Sequence, residues 1–307
     1  MTNPIFKFIL LIAFFITIMN ACKKDSATNT NNTTKNTNTT DSTSIVDSAL
    51  VIVGEFADPD IIKVSDSVWR LYYAIKPEVP NNNFEVFTSW SKDGVNWNDE
   101  DTILTMATFP DIIKTKEGKY RIYFQRAQLI NSAISDDGIN FTDESGTRVK
   151  PPIDTASAAA TSTILLPDDT YLMVYRETVN GKYESNSINS VTTAFRTATS
   201  TDGLNFTLGD IIVEGRCSTF DGYIDGGELF FMNDTLHLRF WTSAGFQNQE
   251  DAGHYDMYSL DNGKTWSAYI LFDDSFIGGD PTFAKIGNDW LMYHTGYDGG
   301  IYYKALN

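Results

Sequence analysis

"PDIIKVSDSVWRLYYA" at residues 59–74 and "PDIIKTKEGKYRIYFQ" at residues 110–125 are two copies of one unit. Each has a Pro-Asp entrance, a β-branched apolar run, a polar turn and an aromatic-rich run. That is the pattern of two short antiparallel strands joined by a tight loop. Three looser copies follow: "STILLPDDTYLMVYRE" from Ser162, "ELFFMNDTLHLRFWTS" from Glu228 and "DPTFAKIGNDWLMYHTG" from Asp280. The period is about fifty residues, room for four short strands per unit, and a repeat at that period outranks any local reading. Helical periodicity is absent. Five units of four antiparallel strands close most naturally into an all-β fold, a five-bladed β-propeller. A β-sandwich is the alternative, but it leaves the period unexplained. The fifth unit, ending "GGIYYKAL", is short of an outer strand, and "SALVIVGEF" at residues 48–56 is a spare strand before the first unit. Together they would close the ring.

A second motif recurs between the strand pairs: "SKDGVNW" (91–97), "SDDGINF" (135–141), "STDGLNF" (200–206) and "SLDNGKTW" (259–266). The last fits the S-x-D-x-G-x-T-W Asp-box of sialidase-like propellers, and the others are shortened relatives. Each reads as a structural hairpin turn. The Asp bonds backbone N–H groups, the Gly takes a positive φ, and the final aromatic plugs the space between neighbouring sheets.

A chain of 307 residues with 42% hydrophobic and 13% aromatic content can bury a large core. The formal charge of −17, with Lys and Arg scattered singly, excludes nucleic acid and other anionic polymers as expected partners. Of the two cysteines, Cys22 and Cys217, the first has another role, so no internal disulfide is expected.

That role comes from the N-terminus. Lys7 precedes the apolar run "FILLIAFFITIM", which is too short to span a bilayer comfortably and ends in "NACKKDS". Residues 1–21 look like a bacterial lipoprotein signal peptide, with cleavage leaving Cys22 as the lipidated terminus; Met19 stands where such signals usually carry Leu. A signal anchor with an incidental cysteine is the alternative. Residues 22–47 are a Thr/Asn-rich tether with nothing to bury, expected to be disordered. The propeller occupies residues 48–307. The expected location is the cell envelope, on a lipid anchor at the outer membrane.

In a propeller blade the first strand lines the channel and the second runs back, so strand-one entrances and strand-two exits share a face. The expected ring of groups is Asp58, Asp60, Asp111, Ser162, Asp225, Glu228 and Asp280 from the entrances, with Lys76, Arg126, Arg176, Glu177, Trp241 and His294 from the exits. For any one carboxylate a capping or turn role is as good a reading. Converging carboxylates nevertheless shift one another's pKa values, which is what an acid and base pair requires.

At these residues the chain resembles glycoside hydrolase family 43, the arabinanase and β-xylosidase type of five-bladed propeller, over roughly residues 48–307. "ADPDII" is similar to the family's first-blade motif, and the resemblance implies Asp58 as general base. "FPDIIK" is similar to the second-blade motif and implies Asp111 as the residue that orients the acid and tunes it. "YHTG" resembles the segment carrying a family histidine near the axis, often beside a cation or water, which implies His294; a packed strand residue is the other reading. The family's general-acid Glu has no counterpart in the third unit, which reads "TASAAATSTILL". The candidates lie in "YIDGGELFF": Glu228, which occupies the Pro-Asp register, or Asp225, with Glu177 in reserve. Asp60, two residues from Asp58, is expected to point away and serve a structural hydrogen bond.

The function expected is hydrolysis of glycosidic bonds in a neutral poly- or oligosaccharide by an inverting acid/base mechanism. Asp58, Asp111 and Glu228 are the catalytic candidates, and Arg126, Arg176, Trp241, Asp225, His294 and Asp280 the substrate-binding ones. Two alternatives stand. One is a non-catalytic carbohydrate-binding lipoprotein, with Trp241 offering a stacking face. The other is an exo-sialidase, which needs an arginine cluster such as Arg126, Arg176, Arg196 and Arg239 would supply. The expected partners are carbohydrate and the membrane, on a monomer. No cofactor is required and no metal ligands are assigned, although a structural calcium near the axis is a candidate.

Overall fold

The computed structural model describes residues 48–76, 83–152, 156–179, 192–215, 223–243, 253–273, 278–296 and 299–306. The expected signal peptide and tether, with Cys22, and also Cys217 lie outside the described residues. A first strand, β1 (Ala49–Ile52), stands apart from the unit that follows it. Blade 1 is β2 (Phe56–Ser65), β3 (Val68–Ile75), β4 (Val86–Ser91) and β5 (Trp97–Leu104). Blade 2 is β6 (Thr108–Lys114), β7 (Tyr120–Arg126), β8 (Leu129–Ser135) and β9 (Thr142–Asp143). Blade 3 is β10 (Ser157–Leu165), β11 (Tyr171–Val179), β12 (Thr192–Ser200) and β13 (Thr207–Glu214). Blade 4 is β14 (Tyr223–Met232), β15 (Thr235–Ser243), β16 (Gly253–Ser259) and β17 (Ile270–Asp273); blade 5 is β18 (Gly279–Ile286), β19 (Asp289–Thr295) and β20 (Ile301–Leu306).

Each blade is an antiparallel sheet in chain order, and the inner strands β2, β6, β10, β14 and β18 touch in a closed ring. The fold is a five-bladed β-propeller. Blade 5 takes its outer strand from the other end of the chain: β1 pairs antiparallel with β20, Ala49 opposite Tyr303 and Ile52 opposite Ile301. The spare strand of the sequence therefore closes the ring.

Five apolar clusters fill the five gaps between blades. Tyr72, Val86, Ile112, Ile122 and Phe124 join blades 1 and 2, and Leu172, Phe195, Leu229, Leu238 and Phe240 join blades 3 and 4. The gap between blades 4 and 5 is the thinnest, with Phe230, Phe283 and Met292 at its centre. There the Arg239 guanidinium lies 5.1 and 5.2 Å from the Phe230 and Phe283 rings, and Asp256 accepts from its Nε at 2.8 Å. Each large side chain removed from water contributes about 1.5–3 kcal/mol, so these clusters, and not the ladders alone, hold the blades together.

The S-D-G turns also work between blades. In the first, Asp93 Oδ1 accepts from Val95 N and Asn96 N at 2.9 and 2.8 Å, and Gly94 has φ 75°. Trp97 then packs edge-on against Tyr293 of blade 5, Phe141 against Tyr72 of blade 1, and Phe206 against Tyr123 of blade 2. The same tyrosines donate their hydroxyls to the turn glycines: Tyr293 to the Gly94 carbonyl at 2.7 Å, Tyr72 to Gly138 at 2.8 Å and Tyr123 to Gly203 at 2.8 Å. Blade 3 has Val174 in that position, paired with Ser162 as Tyr72 pairs with Asp60, and has no hydroxyl to offer the turn of blade 4.

Candidate active site

All five inner strands carry a bulge at the same place. The ladder skips between Ala57 and Asp60, Thr108 and Asp111, Ala159 and Ser162, Ile224 and Gly227, and Gly279 and Thr282. Four of the residues in these bulges have left-handed backbones: Asp58 (φ 55°), Phe109 (52°), Ala160 (45°) and Asp280 (52°). Holding a non-glycine residue there costs about 1–3 kcal/mol, a strain that persists only where the surroundings impose it. The bulge resets the alternation of the strand and turns successive side chains toward the axis.

The result is an open cavity at the strand entrances, walled by Asp58, Asp60, Phe109, Glu228 and Asp280, with Ala160, Gly226 and Gly227 between them. Asp58, Asp60 and Asp111 are buried, while Glu228 and Asp280 keep an edge open to the cavity. Around its floor runs a belt of bonds from blade to blade. Thr282 Oγ1 donates to Asp60 Oδ1 at 3.1 Å, and Ile112 N donates to Asp60 Oδ2 at 2.5 Å. Thr163 gives its N–H and hydroxyl to Asp111 at 3.1 and 2.7 Å, and Leu229 N donates to Ser162 Oγ at 2.8 Å.

Two groups of carboxyls result. Asp60, Asp111 and Glu228 form the first. Burial, then the Asp111 charge, pushes Asp60 up to about 8. Burial pushes Asp111 up to about 6 against the opposing Thr163 bonds. Glu228 is raised well above the carboxylate range by burial and by the charges of Asp60 and Asp111. Asp58 and Asp280 form the second group. Burial raises Asp58 first, then the charge of Asp280 and a side-chain hydrogen bond to it. Asp280 is raised less, because Trp241 and the Arg176 charge oppose its burial.

Asp58, Asp111, Glu228 and Asp280 thus come together as the sequence predicts, and Asp60 joins them. Its carboxylate does make the expected structural bonds, but the bulge at Asp58–Pro59 breaks the alternation that was expected to send it away from the funnel. Glu228 needs a smaller correction. Within blade 4 it is Gly227 that pairs with Phe240, as Asp60 pairs with Tyr72, so by the ladder Glu228 stands one residue beyond the Pro-Asp register. Across the blade boundary, Leu229 N bonds Ser162 as Ile112 N bonds Asp60, and by that count Glu228 is in place. The Gly226–Gly227 pair gives the backbone freedom to satisfy both.

The strand exits depart further from expectation. Arg126 is not in the funnel: it pairs with Asp143 at 2.6 Å and donates to the Met106 and Thr105 carbonyls. Arg176 pairs with Asp225 and lies 5.2 Å from the Phe109 ring at the funnel wall, which commits Asp225 and removes it as the acid. Glu177, the reserve acid, is buried against Arg196 at 2.8 Å and Tyr175 at 3.3 Å. Trp241 reaches the funnel through its indole N–H, which donates to Asp280 Oδ1 at 3.1 Å. His294 is a packed strand residue, stacked on Tyr302, with Nε2 3.2 Å from Ser48 Oγ at the ring closure. Among the described residues Arg126, Arg176, Arg196 and Arg239 are each engaged by a different acid and none lines the cavity, so the sialidase cluster does not form. For the calcium named as a candidate, no described group of three or more His, Cys, Asp or Glu side chains is arranged to hold a metal ion. Sequence reasoning missed the pairing of Asp58 with Asp280, although "ADPD" and "GGDPT" carry the same Asp-Pro signal.

No family model matches the sequence, and no curated protein matches it. Solved structures do. A protein of unknown function from Dyadobacter fermentans is 17% identical, with 85% of this chain and 82% of that chain covered at a TM-score of 0.60. An α-L-arabinofuranosidase from Clostridium thermocellum is 14% identical, covering 79% of this chain and 82% of that one at a TM-score of 0.57. An endo-arabinase from Bacteroides thetaiotaomicron is 14% identical, covering 85% of this chain and 98% of that one at a TM-score of 0.61. What this chain shares with them is the fold: a five-bladed propeller of the kind on which glycoside hydrolases are built.

Proposed function

We propose that the protein hydrolyses glycosidic bonds of a neutral poly- or oligosaccharide by an inverting acid/base mechanism. The observation that carries this reading is Glu228, a carboxyl on the cavity wall whose proton affinity is raised by burial and by Asp60 and Asp111, in the same cavity as Asp58 of a blade that is not its neighbour. A carboxyl of raised proton affinity is suited to protonate a leaving oxygen, and one across the cavity to take a proton from water. Asp111, with Asp60, sets the proton affinity of Glu228. Among the described residues no Lys or Arg lines the cavity, which suits a neutral sugar. The resemblance in the Pro-Asp motifs and the arabinan-degrading enzymes among the structural neighbours support the same class. Export on a lipid anchor at Cys22 would set the funnel at the envelope, where polysaccharide arrives.

The test is a panel of p-nitrophenyl arabinofuranoside, xyloside, galactoside and sialoside, together with arabinan and xylan, against the full chain, with product anomers followed by NMR. Inverted product, lost in both Asp58→Asn and Glu228→Gln, is expected. Saturable sugar binding with no turnover would instead indicate the carbohydrate-binding protein, and turnover of the sialoside alone a sialidase.

A further inference from the structure

We infer that Asp280 is the positioning partner of Asp58: the two carboxyls share one proton, and Asp280 takes up the proton that Asp58 gives away when Asp58 accepts one from the attacking water. The inference rests on the hydrolase reading. Its structural basis is a symmetry between neighbouring blades. Asp58 and Asp280 occupy the same bulge position of blades 1 and 5, each before a proline and each with a left-handed backbone, φ 55° and 52°. Their side chains are hydrogen-bonded to each other. Thr295 fixes the spacing, accepting from Asp58 N at 3.1 Å and donating its hydroxyl to Asp280 Oδ2 at 3.4 Å.

The surroundings are shaped around Asp280. Trp241 Nε1 donates to Asp280 Oδ1 at 3.1 Å, so both of its oxygens have neutral donors. Gly226 makes room for it: a Cβ there would lie 2.4 Å from Asp280 Oδ1 and 3.0 Å from its Cα. Gly279 does the same for the indole, where a Cβ would lie 2.6 Å from Trp241 Cζ2. Two carboxyls in hydrogen-bond contact cannot both be ionised at modest cost. With its two donors Asp280 is the better seat for the negative charge, which leaves the proton on Asp58. The other charged groups nearby do not undo this. Arg176 on β11 is held by Asp225 on β14, Asp60 on β2 is turned to Ile112 and Thr282, and His294 on β19 is turned to Ser48. Lys76 reaches the Gly296 carbonyl at 3.5 Å, and Glu228 belongs to the Asp60 and Asp111 group.

An O–H bond of water breaks and its proton goes to the free oxygen of Asp58, while the proton Asp58 already holds passes to Asp280. The water oxygen bonds the anomeric carbon, the bond to the leaving oxygen breaks, and that oxygen takes the Glu228 proton. The pair ends doubly protonated and Glu228 ionised, and exchange with solvent restores both.

Two measurements test the pair. With p-nitrophenyl arabinofuranoside, whose leaving group needs little help from an acid, Asp280→Asn in the full chain should lower kcat about 100-fold or more with KM nearly unchanged. The acid limb of its pH profile should move to higher pH, because the bond that favours the singly ionised pair is gone. An unshifted limb, or kcat within about two-fold of the parent, overturns the relay. If no sugar is turned over, the hydrolase reading fails but the pair is still open to test. In protein labelled at the aspartate carboxyl carbons, the Asp58 and Asp280 signals should move together through two shared steps, and Asp58 should move through one step in Asp280→Asn. Two independent single-step titrations in the parent protein overturn the pair whatever the activity.

Discussion

Replacing Tyr123 by Phe removes one oxygen and leaves the shape unchanged, so its effect isolates the hydroxyl that joins blade 2 to the turn of blade 3. Tyr123 is 0% exposed and its bond to the Gly203 carbonyl, 2.8 Å, is buried. Burial also raises the phenol well above its usual range, so the group is a neutral donor at every working pH. The loss has two parts: a buried hydrogen bond worth about 1 kcal/mol, and the penalty for stranding the Gly203 carbonyl, together about 1–3 kcal/mol. For a domain of this size that is a fall in Tm of roughly 3–6 °C at the middle of the range. Tyr72→Phe and Tyr293→Phe act at other blade boundaries, so the three losses should add to about 3–9 kcal/mol, a large part of a usual total stability. Thermal and urea unfolding followed by near-UV circular dichroism give the numbers. A triple variant within about 0.5 kcal/mol of the parent would refute the argument that these hydroxyls hold neighbouring blades together.

Other outcomes follow from the same geometry. Gly226→Ala should keep the fold but lose most activity on the glycoside panel, because the new methyl group occupies the space of the Asp280 carboxylate. Stability should fall as pH rises from about 4 to about 8: Asp60 ionises at 3.8 in the unfolded chain but at about 8 in the folded one, so the unfolded state binds fewer protons across that window. Urea midpoints measured across it should decline, and Asp60→Asn should flatten the decline. On the proposed lipid anchor, Cys22→Ser should leave the protein in the soluble fraction where the parent sediments with membranes, since each buried CH₂ of a lipid chain contributes about 0.8 kcal/mol.

The propeller was legible because its signals are local. The two Pro-Asp units, the aromatic second strands and the S-D-G turns are each written within about twenty residues, and the turn chemistry follows from residue type alone. The spare strand at residues 49–52 showed because the fifth unit lacked one. Half of the site was legible for the same reason: strand direction says which end of a strand faces the funnel. It does not say on which side of that strand a side chain leaves, and there the exit residues Arg126 and His294 went elsewhere. The bulge was the other obstacle. It changes the alternation by one between Ala57 and Asp60, and no residue type in "ADPD" announces it. Bonds such as Tyr72 to Gly138 link positions far apart in sequence, although the recurrence of Tyr at 72, 123 and 293 against Val174 was open to view.

The pairing of β1 with β20 sets a timetable for biogenesis. Among the described residues the first strand is paired with the last, so β1 waits for about 250 further residues; at about 5–20 residues per second that wait is on the order of tens of seconds. Four sheets can form as they emerge, each from consecutive strands, while the fifth depends on a contact of the longest possible range, the slowest kind to close. Through that interval the β1 edge is an unpaired template, and a chain that stops before Ile301 never covers it. Closure of the ring therefore waits on Ile301–Tyr303, and until those residues arrive β1 is an open edge.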